Sequence, residues 1–212
     1  MAALVALTFF AYAYGPSERL DARLLGKLAA RGDTAAGTLA DGLAHLADPL
    51  PLLALLALAC AVAIWRGRPR DAVAALVVVA GANVTTQVLK VLLSHPRYQP
   101  SLGFEQVSSS AFPSGHATAA ASIVVAYLLV VPPRLRGLVA LLGAGFVFAV
   151  GCSVVVLDWH YPSDVAGGLL VAAGWGFAVL AGRRMLERDD GGGRGRAARA
   201  RDYDERAAIA VK

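Results

Sequence analysis

The chain has 212 residues, of which 57% are hydrophobic and 17% are charged, and its mean hydropathy is +0.58. This composition is too apolar for an ordinary soluble domain and indicates an integral membrane protein. The net charge of +5 would also suit a nucleic-acid-binding protein, because residues 194–201 form a Gly/Arg-rich run. That run contains no aromatic residues that could stack on bases, so we expect no nucleic-acid partner.

Six uncharged stretches approach the roughly 20 apolar residues that a helix needs to cross a bilayer. They cover residues 1–17, 49–65, 72–89, 111–133, 137–157 and 165–182. The sequence therefore predicts an all-α, polytopic membrane helix bundle over residues 1–182, with about six transmembrane helices, and a basic, disordered cytoplasmic tail at 183–212. The first stretch has a second interpretation, because Ala11-Tyr12-Ala13 resembles a signal-peptide cleavage site.

A charged stretch at residues 18–48 separates the first two predicted spans. Leucines recur in it at helical spacing, so it either lies in the membrane interface or forms a soluble cap on the bundle. Fourteen of the twenty Lys and Arg residues lie at 66–70, at 134–136 or after residue 182. Because basic loops stay in the cytoplasm, we predict cytoplasmic termini and an outward-facing 18–48 segment, together with outward-facing loops at 94–110 and 158–163.

The third predicted span carries Asn83, Gln87 and Lys90 on one helical face. Interhelical hydrogen bonds are the favoured role for Asn83 and Gln87. Lys90 lies about one turn from the outer end of the span, where its amine can reach the headgroups or bind an anion. Pro96 is predicted to end the helix, which would let Arg97 fold back towards Lys90.

The sequence Pro113-Ser114-Gly115-His116 precedes the fourth predicted span. It can be a simple turn and helix cap, since Pro and Gly interrupt regular structure and Ser is a preferred cap. A helix start of this kind is also an anion-binding site, because free backbone N–H groups and the helix dipole favour negative charge. Ser114 would add a hydroxyl donor, and the Gly115 and His116 amides would point at a bound phosphate.

His160-Tyr161-Pro162-Ser163-Asp164 precedes the sixth predicted span. At a spacing of four residues, Asp164 can accept the Nδ1 proton of His160 and leave Nε2 free as a nucleophile or base. A metal site is a competing hypothesis, with His95, His116, His160 and Asp164 as ligands. We favour an anion site and predict no metal, because Lys90 and Arg97 would repel a cation.

Together these residues resemble the membrane branch of the type-2 phosphatidate phosphatases, a family related to the vanadium haloperoxidases. Its signature is Lys, six residues, Arg-Pro; then Pro-Ser-Gly-His; then Ser-Arg, five residues, His, three residues, Asp. Lys90 and Arg97 match the first part, residues 113–116 the second, and Ser153, His160 and Asp164 the third. The resemblance covers roughly residues 49–182, and the combined motifs are far more specific than any one of them.

Two positions depart from this signature. Tyr98 stands where the first motif has Pro, which affects the turn more than the chemistry. Val154 stands where the third motif has a phosphate-binding Arg. Loss of one preorganised donor typically costs about 10²–10³ in rate, so activity could be weakened and still survive on the remaining donors. A changed substrate or a substituting side chain is equally compatible with the valine.

The resemblance implies a metal-independent lipid phosphate phosphatase, without a cofactor, that acts at the outer face of the cell membrane. His160 would be the nucleophile, Asp164 its orienting acid and His116 the general acid and base, while Lys90, Arg97, Ser114 and Gly115 would bind the phosphate. The partners would be a lipid phosphate substrate and membrane lipids, with homo-oligomers possible through Gly-rich helix faces. Two alternatives are a lipid phosphotransferase with the same phosphohistidine intermediate and a weakly active or non-catalytic lipid-phosphate-binding protein.

Overall fold

The computed structural model describes residues 6–8, 15–28, 34–94 and 109–210. Within these ranges all the long elements are α-helices, which confirms the predicted all-α class. They are α1 (Gly15–Leu28), α2 (Ala35–His45), α3 (Pro49–Trp65), α4 (Pro69–Leu92), α5 (Gly115–Val130), α6 (Pro133–Val156) and α7 (Pro162–Ala210).

Local sequence explains where several helices begin. Pro lies in the first turn of α3, α4 and α6, where its missing N–H has no intrahelical partner to lose and its fixed φ suits the helix. The short turn between α3 and α4 contains Gly67 at a φ of 69°, a left-handed conformation that glycine adopts without steric cost. These prolines and this glycine divide the apolar sequence into separate helices.

Five of the six predicted spans coincide with helices. The helices α4 and α6 and the segment Pro162–Leu186 of α7 are long and apolar enough to cross a membrane. The helices α2 and α3 meet at a bend of 47° and together also pass this test, whereas α5 is a shorter apolar helix. Apart from residues 6–8, the first predicted span lies outside the described residues.

Small side chains dominate the packing of α3, α4 and α5. Their shared core contains nine buried residues, four of which are larger than alanine. The members are Leu56, Ala59, Ala63, Ala72, Ala75, Val79, Ile123, Ala126 and Val130. Small residues let helix backbones approach closely, which is the usual basis of helix association in a bilayer. Large apolar side chains such as Leu53, Leu141 and Phe148 are exposed, as expected for a surface that faces lipid.

Helix α1 packs on the bundle through one side. Leu25 is buried against Val155 and Tyr161, and the carboxylate of Asp21 accepts hydrogen bonds from the backbone N–H and the hydroxyl of Ser163. Leu20, with Leu24 and Leu28, remains exposed. The 18–48 segment therefore includes a helix that is fastened to the first turn of α7 and keeps an exposed apolar side.

The chain divides into two compact units, residues 1–176 and 177–212. The first contains all of the motifs singled out above. The second is the distal part of α7, whose backbone is helical to Ala210. The boundary at residue 182 between bundle and cytoplasmic tail stays a prediction.

Candidate active site

The start of α5 is joined directly to the start of α7. Ser114 is the N-cap of α5, and its Oγ accepts a hydrogen bond from the N–H of Ala117 at 3.3 Å. The N–H of Ser114 donates to the backbone carbonyl of Asp164 at 2.9 Å. Thr118 adds a hydrogen bond from its hydroxyl to the Ser114 carbonyl at 2.8 Å. The second and third motifs, far apart in the sequence, are therefore in contact through backbone and buried side chains.

The predicted nucleophile and its acid are both buried. His160 Nδ1 lies 3.5 Å from Asp164 Oδ2, and the side chains are 7% and 0% exposed. The two groups are placed as an ion pair for a protonated ring, but at this distance His160 Nδ1 makes no hydrogen bond within the described residues. Oδ2 of Asp164 accepts a hydrogen bond from the N–H of Tyr161 at 2.9 Å, so the carboxylate is held in place independently of the imidazole.

The loop before α7 presents His160 from the end of α6. The carbonyl of Val154 accepts hydrogen bonds from the N–H groups of Trp159 at 3.0 Å and His160 at 3.1 Å. Asp158 turns the chain with a φ of 59°, a left-handed conformation that aspartate tolerates better than most residues. Burial raises the pKa of the Asp158 carboxyl. This turn brings His160 back over the end of the helix that precedes it.

His116, the predicted acid and base, faces His160. Their ring centroids are 6.4 Å apart, with an interplanar angle of 64°. The His116 ring also lies against Trp159, at a centroid distance of 5.4 Å. Both imidazoles lie on the wall of one cavity, where a bound group could contact each of them.

A cavity of about 470 Å³ opens beside these histidines. Its polar wall includes Lys90, His116 and His160, and its apolar wall includes Leu52 and Leu53 of α3. The amine of Lys90 approaches the start of α5, since its Nζ lies 3.9 Å from the position a Cβ would take on Gly115. The site thus combines a cation, two imidazoles and a helix N-terminus with an apolar surface, which suits an anionic headgroup on a hydrocarbon chain.

Other predicted site residues have different surroundings. Ser114 is fully buried and serves as a helix cap, so its phosphate-binding role stays a prediction. Arg97 and Tyr98 lie outside the described residues. Asn83 makes the expected interhelical hydrogen bond, to Ser122 Oγ at 3.3 Å, whereas Gln87 is exposed on the cavity wall.

Val154 is fully buried, and the cavity wall does not include its side chain. Lys90 is the one cationic side chain that the described residues contribute to this wall. Of the alternative metal ligands, His95 is not among the described residues. No three His, Cys, Asp or Glu side chains within the described ranges lie close enough together to hold a metal ion.

One functional residue has no recognisable signal in the sequence. Asp48 lines the cavity, and its Oδ1 lies 3.2 Å from His116 Nε2. In the sequence, Asp48 followed by Pro49 has the pattern of an ordinary helix start, and nothing in that pattern points to a histidine 68 positions away.

Comparisons with known proteins bear on the fold and the family of the chain. A solved structure, described as the first transmembrane PAP2 type phosphatidylglycerolphosphate phosphatase from Bacillus subtilis, is similar with a TM-score of 0.71. The two share 23% sequence identity, and the match covers 86% of this chain and 93% of that one. Comparison with curated proteins gave no match. Residues 71–188, more than half of the chain, match the PAP2 superfamily. The protein is a multi-pass membrane protein and belongs to the PAP2 superfamily.

Proposed function

We propose that this protein is a metal-independent lipid phosphate phosphatase that works through a phosphohistidine on His160. The observation that carries the proposal is the meeting of the His160–Asp164 pair, His116 and Lys90 around one partly apolar cavity. Its volume of about 470 Å³ is within the usual range for a small-molecule site, about 300–1,000 Å³. The similar solved structure is described as a phosphatidylglycerolphosphate phosphatase, and phosphatidylglycerol phosphate is a lipid phosphate. This similarity supports a lipid phosphate as the substrate.

In the first step, His160 Nε2 attacks phosphorus, the P–N bond forms and the bond from phosphorus to the lipid oxygen breaks. Asp164 orients the ring and stabilises the positive charge that develops on it. His116 gives a proton to the departing lipid oxygen. Lys90, Arg97 and the amides of Gly115 and His116 neutralise the equatorial oxygens.

In the second step, water replaces the histidine. His116, now neutral, takes a proton from water, the new P–O bond forms and the P–N bond to His160 breaks, which releases inorganic phosphate. The apolar side of the cavity keeps the lipid chain in the bilayer while its headgroup reaches the histidines. Phosphatidate, phosphatidylglycerol phosphate and polyprenyl diphosphates all meet these requirements.

The test is phosphate release by the purified protein from a panel of these lipids, with EDTA present throughout. We expect His160→Ala to lower the rate by about 10³-fold or more and to abolish the phosphoenzyme, because the attacking atom is gone. His116→Ala is expected to lower it by about 10²–10⁴-fold. Thermal melting in detergent checks that both variants remain folded. Full activity in folded His160→Ala would contradict the mechanism.

A non-catalytic role in binding lipid phosphates is the second candidate, and Val154 is the observation that favours it. In place of the motif arginine, this position has a buried side chain away from the cavity wall. Absence of any acid-labile phosphoenzyme with the whole lipid panel, combined with measurable lipid-phosphate binding, would support this role. Transfer of the phosphoryl group to an added lipid or sugar hydroxyl would instead identify a phosphotransferase.

A further inference from the structure

Asp48 lies on the wall of the catalytic cavity but outside all three sequence motifs. It immediately precedes α3 and has the extended backbone of an N-cap residue. An aspartate at this position ordinarily accepts a hydrogen bond from the second or third amide of its helix. The carboxylate of Asp48 makes no such bond to α3. It is directed instead at His116, with Oδ1 at 3.2 Å from Nε2.

This contact is partly shielded from water, since the side chains of His116 and Asp48 are 25% and 37% exposed. A hydrogen bond from an imidazolium to a carboxylate is stronger than one between neutral groups, and a lower local dielectric strengthens it further. The contact therefore favours the charged form of the His116 ring and fixes the direction of its Nε2.

Other charged and titratable groups face His116 from each neighbouring element. Lys90 approaches from α4 and His160 from the loop before α7, and both disfavour a second positive charge on the His116 ring. On the far side of Asp48, Nε2 of His45 lies 4.0 Å from Oδ2. Among the described residues, Asp48 is the carboxylate that contacts His116 directly. It therefore counteracts the effect of Lys90 and His160 on the charge of the His116 ring.

We propose that Asp48 is the positioning residue of the general acid His116, as Asp164 is for the nucleophile His160. This inference rests on the proposed phosphatase function. In the imidazolium form both ring nitrogens carry protons, and Asp48 holds the one on Nε2. The proton on Nδ1 then passes to the departing lipid oxygen, and the neutral ring keeps its Nε2 proton. The lone pair of Nδ1 is left free to accept a proton from water in the second step.

The test compares two leaving groups. A lipid alkoxide needs protonation to depart, whereas p-nitrophenolate leaves readily without it. For Asp48→Asn we expect kcat/KM to fall by about 10–100-fold with the lipid phosphate, less than the 10²–10⁴ that general acid catalysis can supply, and to fall by a much smaller factor with p-nitrophenyl phosphate. The alkaline limb of the lipid pH–rate profile should move to lower pH, because the protonated acid has lost its carboxylate.

Asparagine is as good an N-cap as aspartate, so this variant keeps the start of α3. Asp48→Ser, also a good N-cap, should show the same selective loss. This second variant checks that the loss comes from removing the carboxylate and not from the asparagine side chain itself. Asp41→Asn is the matched control: Asp41 is an exposed carboxylate on α2 that pairs with His45 at 3.6 Å and does not contact His116, so this variant should not change either reaction.

Three results would overturn the proposal: an equal loss with both substrates, unchanged lipid kinetics in Asp48→Asn, or an alkaline limb that does not move. If the wild-type protein releases no phosphate from any lipid and forms no phosphoenzyme, the proposed function fails and this inference fails with it. If the wild type is active and Asp48→Asn makes no distinction between leaving groups, only the role of Asp48 is wrong.

Discussion

The positive charge at the catalytic cavity depends on few side chains. Lys90 contributes to its wall, while position 154 carries a buried valine. The carbonyl of Val154 nevertheless accepts a hydrogen bond from the amide of His160, so this position lies directly beside the predicted nucleophile. A long cationic side chain here would start beside His160, at the position where the family motif has its arginine.

Val154→Arg is therefore expected to raise the rate of phosphate release from the preferred lipid by about 10-fold or more. This gain is smaller than the 10²–10³ in rate that one preorganised hydrogen-bond donor contributes. The substitution should also lower the melting temperature, because overpacking a buried site costs about 1–3 kcal/mol. Both are measured on purified protein.

Val155→Arg is the matched control for this substitution. Val155 is also buried, but it packs against Leu25 and Tyr161. It should lose stability without any gain in rate. An unchanged or lower rate in folded Val154→Arg would show that the valine serves a different pocket.

At the level of helices, the site is held together by close approaches that only glycine permits. A Cβ on Gly168 would lie 2.6 Å from the Ser114 carbonyl oxygen, and one on Gly167 would lie 2.7 Å from the Phe112 ring. Gly143 similarly makes room for Val124. These glycines therefore make close contacts within one chain. The sequence also allowed them to form contacts between two chains, and homo-oligomer formation stays a prediction.

Gly168→Ala is expected to push α7 away from the start of α5, because the new Cβ would clash with backbone atoms. The variant should be less stable by about 1–3 kcal/mol and should release phosphate more slowly. Gly174→Ala on the same helix meets no atom within 4 Å among the described residues. It should be neutral or stabilising, by up to about 1 kcal/mol. Melting temperature and phosphate release measure both. Equal behaviour of the two variants would refute this account of the packing.

For the whole molecule, charge asymmetry predicts the orientation. The basic loops and the region after residue 182 are predicted to be cytoplasmic, which places the turn at 158–163 and the catalytic cavity on the outer side. Helix α1 is fastened to this same end of the bundle through Asp21 and Ser163. Substrate would then reach the histidines from the outer leaflet.

Reporter fusions test this topology. Green fluorescent protein fused after Lys212 should fluoresce, since it folds in the cytoplasm. Alkaline phosphatase fused after Asp158 should be active, since it needs the oxidising exterior. The reverse pattern would place the active site on the cytoplasmic side and would contradict the predicted orientation, without bearing on the chemistry.

The sequence by itself determined the class of the fold and predicted most residues of the candidate site. Hydropathy and proline positions are local properties, so they located the helices α3 to α6 and the start of α7 within a few residues. The motifs identified His116, His160 and Asp164, because an imidazole four residues from a carboxylate at a helix start is a local arrangement.

Only the tertiary structure decided which partners these groups have. The contact between Asp48 and His116 joins residues 68 positions apart, and the contact between Asp21 and Ser163 joins residues 142 positions apart. Neither pair has a local pattern, because each contact is created by the way the helices pack. Residue types and spacing thus predict His116, His160 and Asp164 as site residues, while helix packing brings the carboxylate of Asp48 to His116.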